Sequence, residues 1–574
     1  MIDPQPNLLS KATFSILLLT PLVYPGFFPF DVNLVLAISA ALLLMTSLTF
    51  GIYSLYIPKF FLLAIATVFS LQIGLSITGK LLAPEIWELQ TVGLLTAAGM
   101  LIIGISSPVS SLLTWMHLYI GAASLWSLIG LFVWLGGTEG LPLEVGSVTM
   151  ALAPALKLAG PFNQGNIFAT VIGFAWIFSL WLFVRTEKLT YGLAIVLFTA
   201  ILFDTLSKGG WLAFIPAAVL LLFSLKPKSA LLIKKLLPLL LLGIALGLLL
   251  LAFSQPSVKS NAFLSIAQPS ASLEARLLIW ASAFFEFVSS PLTGVGWGQF
   301  PAEFWSANTL SQAWLESQFN WKTNLHNNAM SAHNILLHTL AEAGALAMLL
   351  LLWGIWKLLR ANISLLANSR SNRLPFALAA MAFVLQSQFN ISYNQPIPLF
   401  MGAFFSGIAL APWLRKNSWK MKLRSSLRGA TLLIASITLI WATQITLQWF
   451  SAEKAIRDFD IQNENSIRQL AEVATTPRIG AIPLIWLGYN IAVTKQHSGL
   501  LTWMLPYLKK STHEIPYIDS YQVQFYALSY SHRFEEACRL GQIISARNLP
   551  GEKNKLAYKQ VCEGKEINSY EFGL

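Results

Sequence analysis

Long apolar runs separated by short polar connections fill the chain from residue 12 to about residue 450. A helix needs about 20 predominantly apolar residues to cross a bilayer, and most of these runs approach that length. The pattern therefore predicts an all-α polytopic membrane protein with about 12 or 13 transmembrane helices. The predicted spans are residues 12–29, 32–50, 59–78, 88–105, 112–136, 166–184, 189–206, 210–225, 231–253, 334–356, 374–391, 397–412 and 429–450.

The tail of the chain has a different character, because polar and charged residues return and no further spanning run follows. Aromatic and small residues recur there at helical spacing, as at Tyr526, Tyr530, Phe534 and Ala537. This spacing predicts packed helical hairpins of a tetratricopeptide kind. The predicted domains are transmembrane helices 1–9 at 1–253, a large loop at 254–333, transmembrane helices 10–13 at 334–450 and a soluble helical domain at 451–574.

The distribution of charge indicates the orientation of the chain in the membrane. Only 11% of the residues are charged, and the formal net charge of +12 comes from Lys and Arg in short connections, so nucleic acid is not an expected partner. Placing the N-terminus in the cytoplasm puts eighteen basic residues inside and six in the outward segments before the tail, which satisfies the positive-inside rule. The segments 137–165, 254–333 and 451–574 are then expected to face outward.

Both cysteines of the chain, Cys538 and Cys562, lie in this outward tail. An exported domain often bridges such a pair, so a disulfide is favoured over two free thiols. The large loop and the tail are then expected to lie in an exported, oxidising compartment.

Two polar elements at the outward ends of the predicted spans are candidate binding positions. Gln164 and Asn166 stand before a span, where they could bind a sugar or a phosphate, although Asn166 could equally cap the helix that follows. Lys208 stands in an outer hairpin where it could meet a lipid-borne anion, or it could form a local ion pair with Asp204.

Two further elements belong to the large loop. Arg276 begins a predicted amphipathic helix, and its planar guanidinium suits a diphosphate, unless it only reaches toward water from an interfacial helix. His333 stands where the loop enters the tenth span, and a near-neutral imidazole can accept a proton from an attacking hydroxyl. His338 and Glu342 are four residues apart on one helix face and could form a pair with each other there. The spacing of His326, His333 and His338 matches no standard zinc site, so no metal is expected.

Taken in order, these elements resemble the bacterial superfamily of O-antigen ligases, polymerases and O-linked oligosaccharyltransferases over about residues 1–450. The resemblance rests on the motifs Gln164-x-Asn166, Ser207-Lys208-Gly209, Arg276-x-x-x-Trp280, Pro291-x-x-Gly294-x-Gly296 and His333-Asn334-x-x-Leu337-x-x-x-Ala341-Glu342-x-Gly344.

The resemblance implies transfer of a glycan from an undecaprenyl diphosphate carrier to an acceptor on the periplasmic face of the bacterial inner membrane, without a nucleotide or metal cofactor. It implies that His333 activates the acceptor hydroxyl and that Arg276 and Lys208 neutralise the departing diphosphate. Lys208 stands where the family more often has Arg, which keeps the charge and loses the bidentate geometry. The expected substrate-binding residues are Gln164, Asn166, Asn334, Tyr393 and His326.

The exported helical tail favours the protein O-linked oligosaccharyltransferases, which glycosylate pilins and similar exported proteins. The alternative is an O-antigen ligase or polymerase, whose acceptor is a sugar hydroxyl such as that of the lipid A core. A transporter for a lipid-linked saccharide is disfavoured, because the polar residues gather at one outer face and the chain shows no internal duplication.

Overall fold

The computed structural model describes residues 6–23, 37–45, 54–134, 144–145, 148–149, 158–162, 164–224, 229–253, 269–320, 329–368, 370–422, scattered positions from 433 to 469, 498–514, 518–547 and 558–565. The α-helices are α1 Leu8–Val23, α2 Lys59–Ile77, α3 Pro84–Ser106, α4 Leu112–Trp134, α5 Gly165–Thr186, α6 Leu189–Asp204, α7 Lys208–Ser224, α8 Ser229–Phe253, α9 Pro269–Ser289, α10 Phe300–Phe319, α11 Ile335–Ala367, α12 Leu374–Gln386, α13 Pro396–Leu414, α14 Ser498–Glu514, α15 Ile518–Tyr530 and α16 Phe534–Arg547.

The expected fold class is confirmed, since the protein is an all-α polytopic membrane protein. Within the described residues, seven helices are long and apolar enough to cross a membrane, and four shorter apolar helices accompany them. Eleven of the thirteen predicted spans coincide with a helix. The other two, at 32–50 and 429–450, fall largely outside the described residues.

Helix α5 forms the centre of the bundle, because it is apolar on all sides and almost every residue from Ile167 to Phe183 is buried. Since lipid offers no hydrophobic drive for helices to associate, close packing and interhelical hydrogen bonds must hold them together. The Tyr119 hydroxyl of α4 donates to the Val171 carbonyl at 3.1 Å. On the other side of α5, Trp176 Nε1 donates to Thr199 Oγ1 of α6 at 3.0 Å.

One end of the bundle carries many basic side chains. Arg185 donates to Asn372 Oδ1 at 3.2 Å, and Arg415 Nε donates to the Ile105 carbonyl at 2.7 Å. Strand β1 (Ser54–Pro58) pairs there in antiparallel register with β4 (Ser418–Lys422), while β2 (Glu144–Val145) and β3 (Val148–Thr149) form a separate short hairpin. Arg185, Arg370, Arg373 and Arg415, all assigned to one side from the sequence, thus lie at one end of the bundle. That this end is cytoplasmic stays a prediction.

The opposite end carries an outer layer built from α9, α10 and the tail helices α14, α15 and α16. Helix α9 begins at Pro269, seven residues before the predicted start at Arg276, and α10 was not predicted. Phe300, Phe304 and Ala332 of the large loop share one buried apolar cluster with Leu505 and Leu508 of the tail. A disulfide joins Cys538 to Cys562 within the tail.

Candidate active site

His333 and the residue after it begin helix α11 in a defined geometry. Asn334 is the N-cap, and its Oδ1 accepts the backbone N–H groups of Leu336 and Leu337 at 2.9 and 3.0 Å. The capping amide satisfies two of the four helix donors that have no partner within the helix. His333 has a φ of 51°, in the left-handed region, and its side chain is half-buried. Asn334 therefore has a structural role, and its predicted contact with substrate stays a prediction.

The charge state of His333 follows from its surroundings. Burial, with smaller contributions from the positive charge of Arg276 and from the neighbouring His338, lowers the pKa of His333 to about 4. The imidazole is therefore neutral at pH 7 and can accept a proton. Arg276 is itself half-buried on α9, and burial lowers the pKa of its guanidinium without removing its charge at neutral pH. The structure thus brings together two of the three predicted catalytic residues.

These shifts predict the pH dependence of transfer. If neutral His333 is required, we expect kcat/KM to remain level as the pH falls from 7 to about 5 and to decline near pH 4, below the ordinary histidine range. Arg276→Gln removes a positive charge that opposes protonation, so the decline should move to higher pH. Pre-steady-state or steady-state transfer assays across pH 4 to 8 measure this. A decline near pH 6.5 in both enzymes would mean that another group titrates.

Helix α11 is broken a short distance after His338, and a turn from the large loop fills the break. Gly344 has φ 76° and ψ −176°, which no helix contains. The N–H of Ala345 donates to the Pro291 carbonyl at 2.9 Å, while the Ala341 carbonyl accepts the N–H of Val295 at 2.9 Å. In a continuous helix the Ala345 N–H would donate to the Ala341 carbonyl. The turn separates these two groups and forms a hydrogen bond with each of them. We call this contact between the turn and the broken helix the joint. It explains why the Pro-x-x-Gly-x-Gly and Glu-x-Gly motifs occur together.

A broken helix within the membrane is tolerated where other parts of the protein form hydrogen bonds with its backbone, or where the helix lines a cavity, as in transporters. Here the turn occupies the break. A β-carbon on Gly344 would lie 2.3 Å from the Leu292 carbonyl oxygen, and one on Gly294 would lie 2.2 Å from the backbone of Glu342. Both positions require glycine because the two backbones are in direct contact.

Two buried side chains that the sequence analysis did not single out hold this joint. Gln72 of α2 is fully buried, donates through Nε2 to the Thr293 carbonyl at 2.8 Å and accepts the Trp297 N–H through Oε1 at 3.0 Å. Gln299 binds both backbone groups of Ala83, accepting its N–H at 2.7 Å and donating to its carbonyl at 2.8 Å. These amides attach the large loop to α2 and α3.

Glu342 completes the joint from within α11. Its Oε1 accepts the N–H of Phe300 at 3.1 Å, and its Oε2 lies 3.3 Å from His338 Nε2. The expectation that His338 and Glu342 satisfy each other is therefore confirmed. Glu342 also fixes the start of α10, which the sequence did not indicate.

The Lys208 turn lies beside the predicted pair Gln164 and Asn166. Ser207 Oγ donates to Asn166 Oδ1 at 2.8 Å and accepts the Gly210 N–H at 3.1 Å, which caps α7. The alternative in which Asn166 caps α5 is wrong, since the N-cap is Gln164 and it forms no side-chain capping bond. The Lys208 side chain is exposed.

The alternative partner predicted for Lys208 was Asp204, four residues earlier on the same helical face. Asp204 is buried, and among the described residues its two carboxylate oxygens have no hydrogen-bond partner. The carbonyl of Asp204 accepts the N–H of Leu158 at 3.4 Å.

The segment from Gln386 to Tyr393 connects the Lys208 turn to His333. Gln386 Nε2 donates to the Asn166 carbonyl at 3.0 Å, whereas the Ser387 carbonyl accepts the Ile335 N–H at 2.8 Å on the α11 side. We name this segment the bridging turn. It brings the outer ends of α5, α7, α11 and α12 together at one face.

Tyr393 lies at the end of the bridging turn, with its ring 5.2 Å from that of His338. Burial raises the pKa of Tyr393 well above its ordinary value, so the hydroxyl remains protonated and can donate. Its oxygen lies beside Ser331 and the Asn334 backbone but makes no hydrogen bond of normal geometry with the described residues. The Oε1 of Gln164 is likewise buried without a partner in this part of the chain.

His326 lies outside the described residues, so its predicted substrate role stays a prediction. Across the described ranges, no group of three or more His, Cys, Asp or Glu side chains is arranged to hold a metal ion.

Residues 193–352 match the family model of the O-antigen ligases. These residues make up 160 of the 574 positions, and this part of the chain is similar to the O-antigen ligases. No curated protein matches the chain. The matched region contains Lys208, Arg276, His333 and Gly344, whereas Gln164, Tyr393 and the tail lie outside it. This match indicates O-antigen ligase-like glycosyl transfer from a lipid-linked glycan donor at a membrane.

Proposed function

We propose that the protein is an O-linked oligosaccharyltransferase. It transfers a glycan from an undecaprenyl diphosphate carrier to Ser or Thr hydroxyls of exported proteins such as pilins. The observation that carries this proposal is the neutral, half-buried His333 beside the charged Arg276, at the start of a helix whose cap and break fix its position. A proton acceptor next to an anion-binding group is what glycosyl transfer from a diphosphate requires.

The reaction then proceeds by substitution at the anomeric carbon of the glycan. The acceptor hydroxyl gives its proton to His333 while its oxygen forms the new bond to that carbon. The bond from the carbon to the diphosphate oxygen breaks, and undecaprenyl diphosphate leaves with the electron pair. Arg276 and Lys208 stabilise the negative charge that develops on the leaving group. Gln164, Tyr393 and the other predicted binding residues hold the substrates around this centre.

The choice of a protein acceptor is supported by the tail. The cluster that contains Leu505 and Leu508 of the tail also contains Ala332, which precedes His333 directly in the chain. A soluble domain anchored this close to the proposed centre suits the recognition of a folded acceptor. The family match, whose description names O-antigen ligases, favours the second candidate, in which the acceptor is a sugar hydroxyl on the lipid A core.

Deletion of the gene distinguishes the two acceptors. We expect the glycan to disappear from an exported protein, such as a pilin, while lipopolysaccharide retains its full length, and a plasmid copy to restore the modification. Mass spectrometry of periplasmic proteins and gel analysis of lipopolysaccharide measure the two products. Loss of the long lipopolysaccharide form with unchanged exported proteins would replace the first candidate by the second.

The two predicted diphosphate ligands, Arg276 and Lys208, should respond differently when one basic side chain is exchanged for the other. Arg276→Lys removes the planar bidentate geometry, so we expect a loss of about tenfold or more in kcat/KM, the scale of a lost charge-assisted hydrogen bond. Lys208→Arg should retain most of the activity because the charge is kept, and Lys208→Ala should not. In vitro transfer with purified protein and lipid-linked donor measures these effects. Near-wild-type activity of Arg276→Ala would remove Arg276 from the site.

A further inference from the structure

The second half of helix α9 has its apolar side outward. Between Arg276 and Glu303 the only charged residue in the sequence is Glu286, and its side chain is 2% exposed. Phe284 and Val288, on the same helix, are 51% and 55% exposed. A helix at the surface of a water-soluble domain has the reverse arrangement, with charged residues outward and apolar residues inward. Water is therefore not the expected surroundings of this face.

The turn that follows α9 extends this apolar surface toward helix α2. Leu292 is 73% exposed, and the carbonyl of the next residue, Thr293, accepts the Gln72 Nε2 donor of α2 at 2.8 Å. Ile73, which follows Gln72, is 36% exposed, and Ile77 at the end of α2 is 80% exposed. The exposed face of the turn thus adjoins the exposed face of a helix that is long and apolar enough to cross a membrane.

The position of Gln72 along α2 sets the depth of the turn. Only Val68, Gln72 and Leu75 of α2 are buried, so lipid surrounds most of this helix. At 1.5 Å per residue, the 19 residues from Lys59 to Ile77 are about 28 Å long. The hydrocarbon core of a bilayer is about 30 Å thick, so a span of this length has both ends near the boundaries of the core. Gln72 lies five residues before Ile77, which places the bonded turn about 8 Å inside the apolar layer.

We infer that the second half of α9 and the turn through Leu292 are inserted in the bilayer, with Phe284, Val288 and Leu292 against the lipid acyl chains of the leaflet at this end of the bundle. This inference goes beyond the proposed function and does not depend on it. The segment 254–333, which the sequence predicts to face outward as a large loop, is then partly embedded in the membrane. Because α9 is one continuous helix, insertion of its second half also fixes how far Arg276, near its other end, lies from the bilayer.

The accessibility of a spin label tests the insertion. The two native cysteines are joined in a disulfide, so a single added cysteine can carry a nitroxide in Phe284→Cys, Val288→Cys or Leu292→Cys. All three side chains are more than half exposed, so their replacement removes little packing. The purified full-length protein in phospholipid vesicles is exposed to oxygen, which concentrates in hydrocarbon, and to anionic chromium oxalate, which stays in water. We expect the ratio of oxygen to chromium oxalate accessibility to be about tenfold or more higher at these positions than at a position in water, because an ion does not enter hydrocarbon.

Matched controls come from both environments. Leu63 of α2 is 66% exposed on a helix that can cross the membrane, so Leu63→Cys should behave as the three variants do. Ile543 is 42% exposed on the tail helix α16, and chromium oxalate should reach the label in Ile543→Cys. High chromium oxalate accessibility at Phe284, Val288 and Leu292 would place this face in water. Low accessibility to both reagents would place it against protein, and either result would overturn the insertion.

Fluorescence provides a second measurement that needs no water-soluble reagent. A bimane label in Leu292→Cys should lose fluorescence in vesicles whose lipids carry bromine on their acyl chains, compared with the same vesicles without bromine. The label in Leu63→Cys should lose fluorescence as well, and the label in Ile543→Cys should not. Equal fluorescence of the Leu292→Cys label in the two kinds of vesicle would overturn the insertion. Neither measurement involves turnover, so the result is independent of which acceptor receives the glycan.

Discussion

His333→Ala should lower glycan transfer by ~100-fold or more while the protein still inserts in the membrane and binds its lipid-linked donor, because removal of a general base has an effect of that order. The imidazole is the neutral proton acceptor at the start of α11, and the Asn334 cap that holds this position does not depend on the histidine side chain. Purified variant and wild type are compared in an in vitro assay with lipid-linked donor and acceptor. Donor binding is measured separately, so that a loss of chemistry is distinguished from a loss of affinity.

The other two histidines of the same stretch are the controls for this prediction. His326→Ala and His338→Ala should each reduce transfer less, since neither stands at the position that matches the family motif. His338 contacts Glu342, so some loss of stability is expected in that variant. Full activity in His333→Ala together with loss in His326→Ala would show that His326, and not His333, is the proton acceptor.

Gly344→Ala should destabilise the outer half of the protein and abolish transfer. An alanine at φ 76° is strained by about 1–3 kcal/mol, and its β-carbon would lie 2.3 Å from the Leu292 carbonyl oxygen. The turn could avoid this overlap only by leaving the break, which would also remove the backbone hydrogen bonds of Val295, Gly296 and Ala345 at about 1 kcal/mol each. The thermal unfolding midpoint in detergent and the transfer rate measure the two consequences.

Gly354→Ala is a matched control on the same helix. A β-carbon at Gly354 would have no heavy atom within 4 Å, and its φ is helical, so alanine should be neutral or stabilise the helix by about 0.5–1 kcal/mol. A Gly344→Ala variant as stable and active as Gly354→Ala would mean that the inserted turn is not required.

The sequence predicted the helices well because a bilayer imposes a length and an apolar composition that single sequences display. It also indicated Arg276 and His333, since charged or titratable groups next to long apolar runs stand out. The start of α9 was misplaced because its first residues, from Pro269 onward, are small and polar and carry no apolar periodicity. Helix α10 was missed for a similar reason, as Trp, Glu, Gln and Ser residues alternate along it.

The residues that hold the site together could not be found from the sequence. Gln72 is a single polar residue in an apolar helix, and its partners at Thr293 and Trp297 are more than 220 positions away in the chain. The role of Asn166 was misjudged because a cap depends on the exact first residue of the helix, the least predictable feature of an element.

The apolar cluster shared by the large loop and the tail has a consequence for biogenesis. Phe300, Phe304 and Ala332 belong to the middle of the chain, yet Leu505 and Leu508 that complete their core are synthesised about 170 residues later. Until the ribosome has finished the tail, the apolar face of the loop remains uncovered. A shortened chain that ends before α14 would insert its transmembrane helices and still lack a finished outer layer, so completion of synthesis itself acts as a checkpoint on assembly of the enzyme.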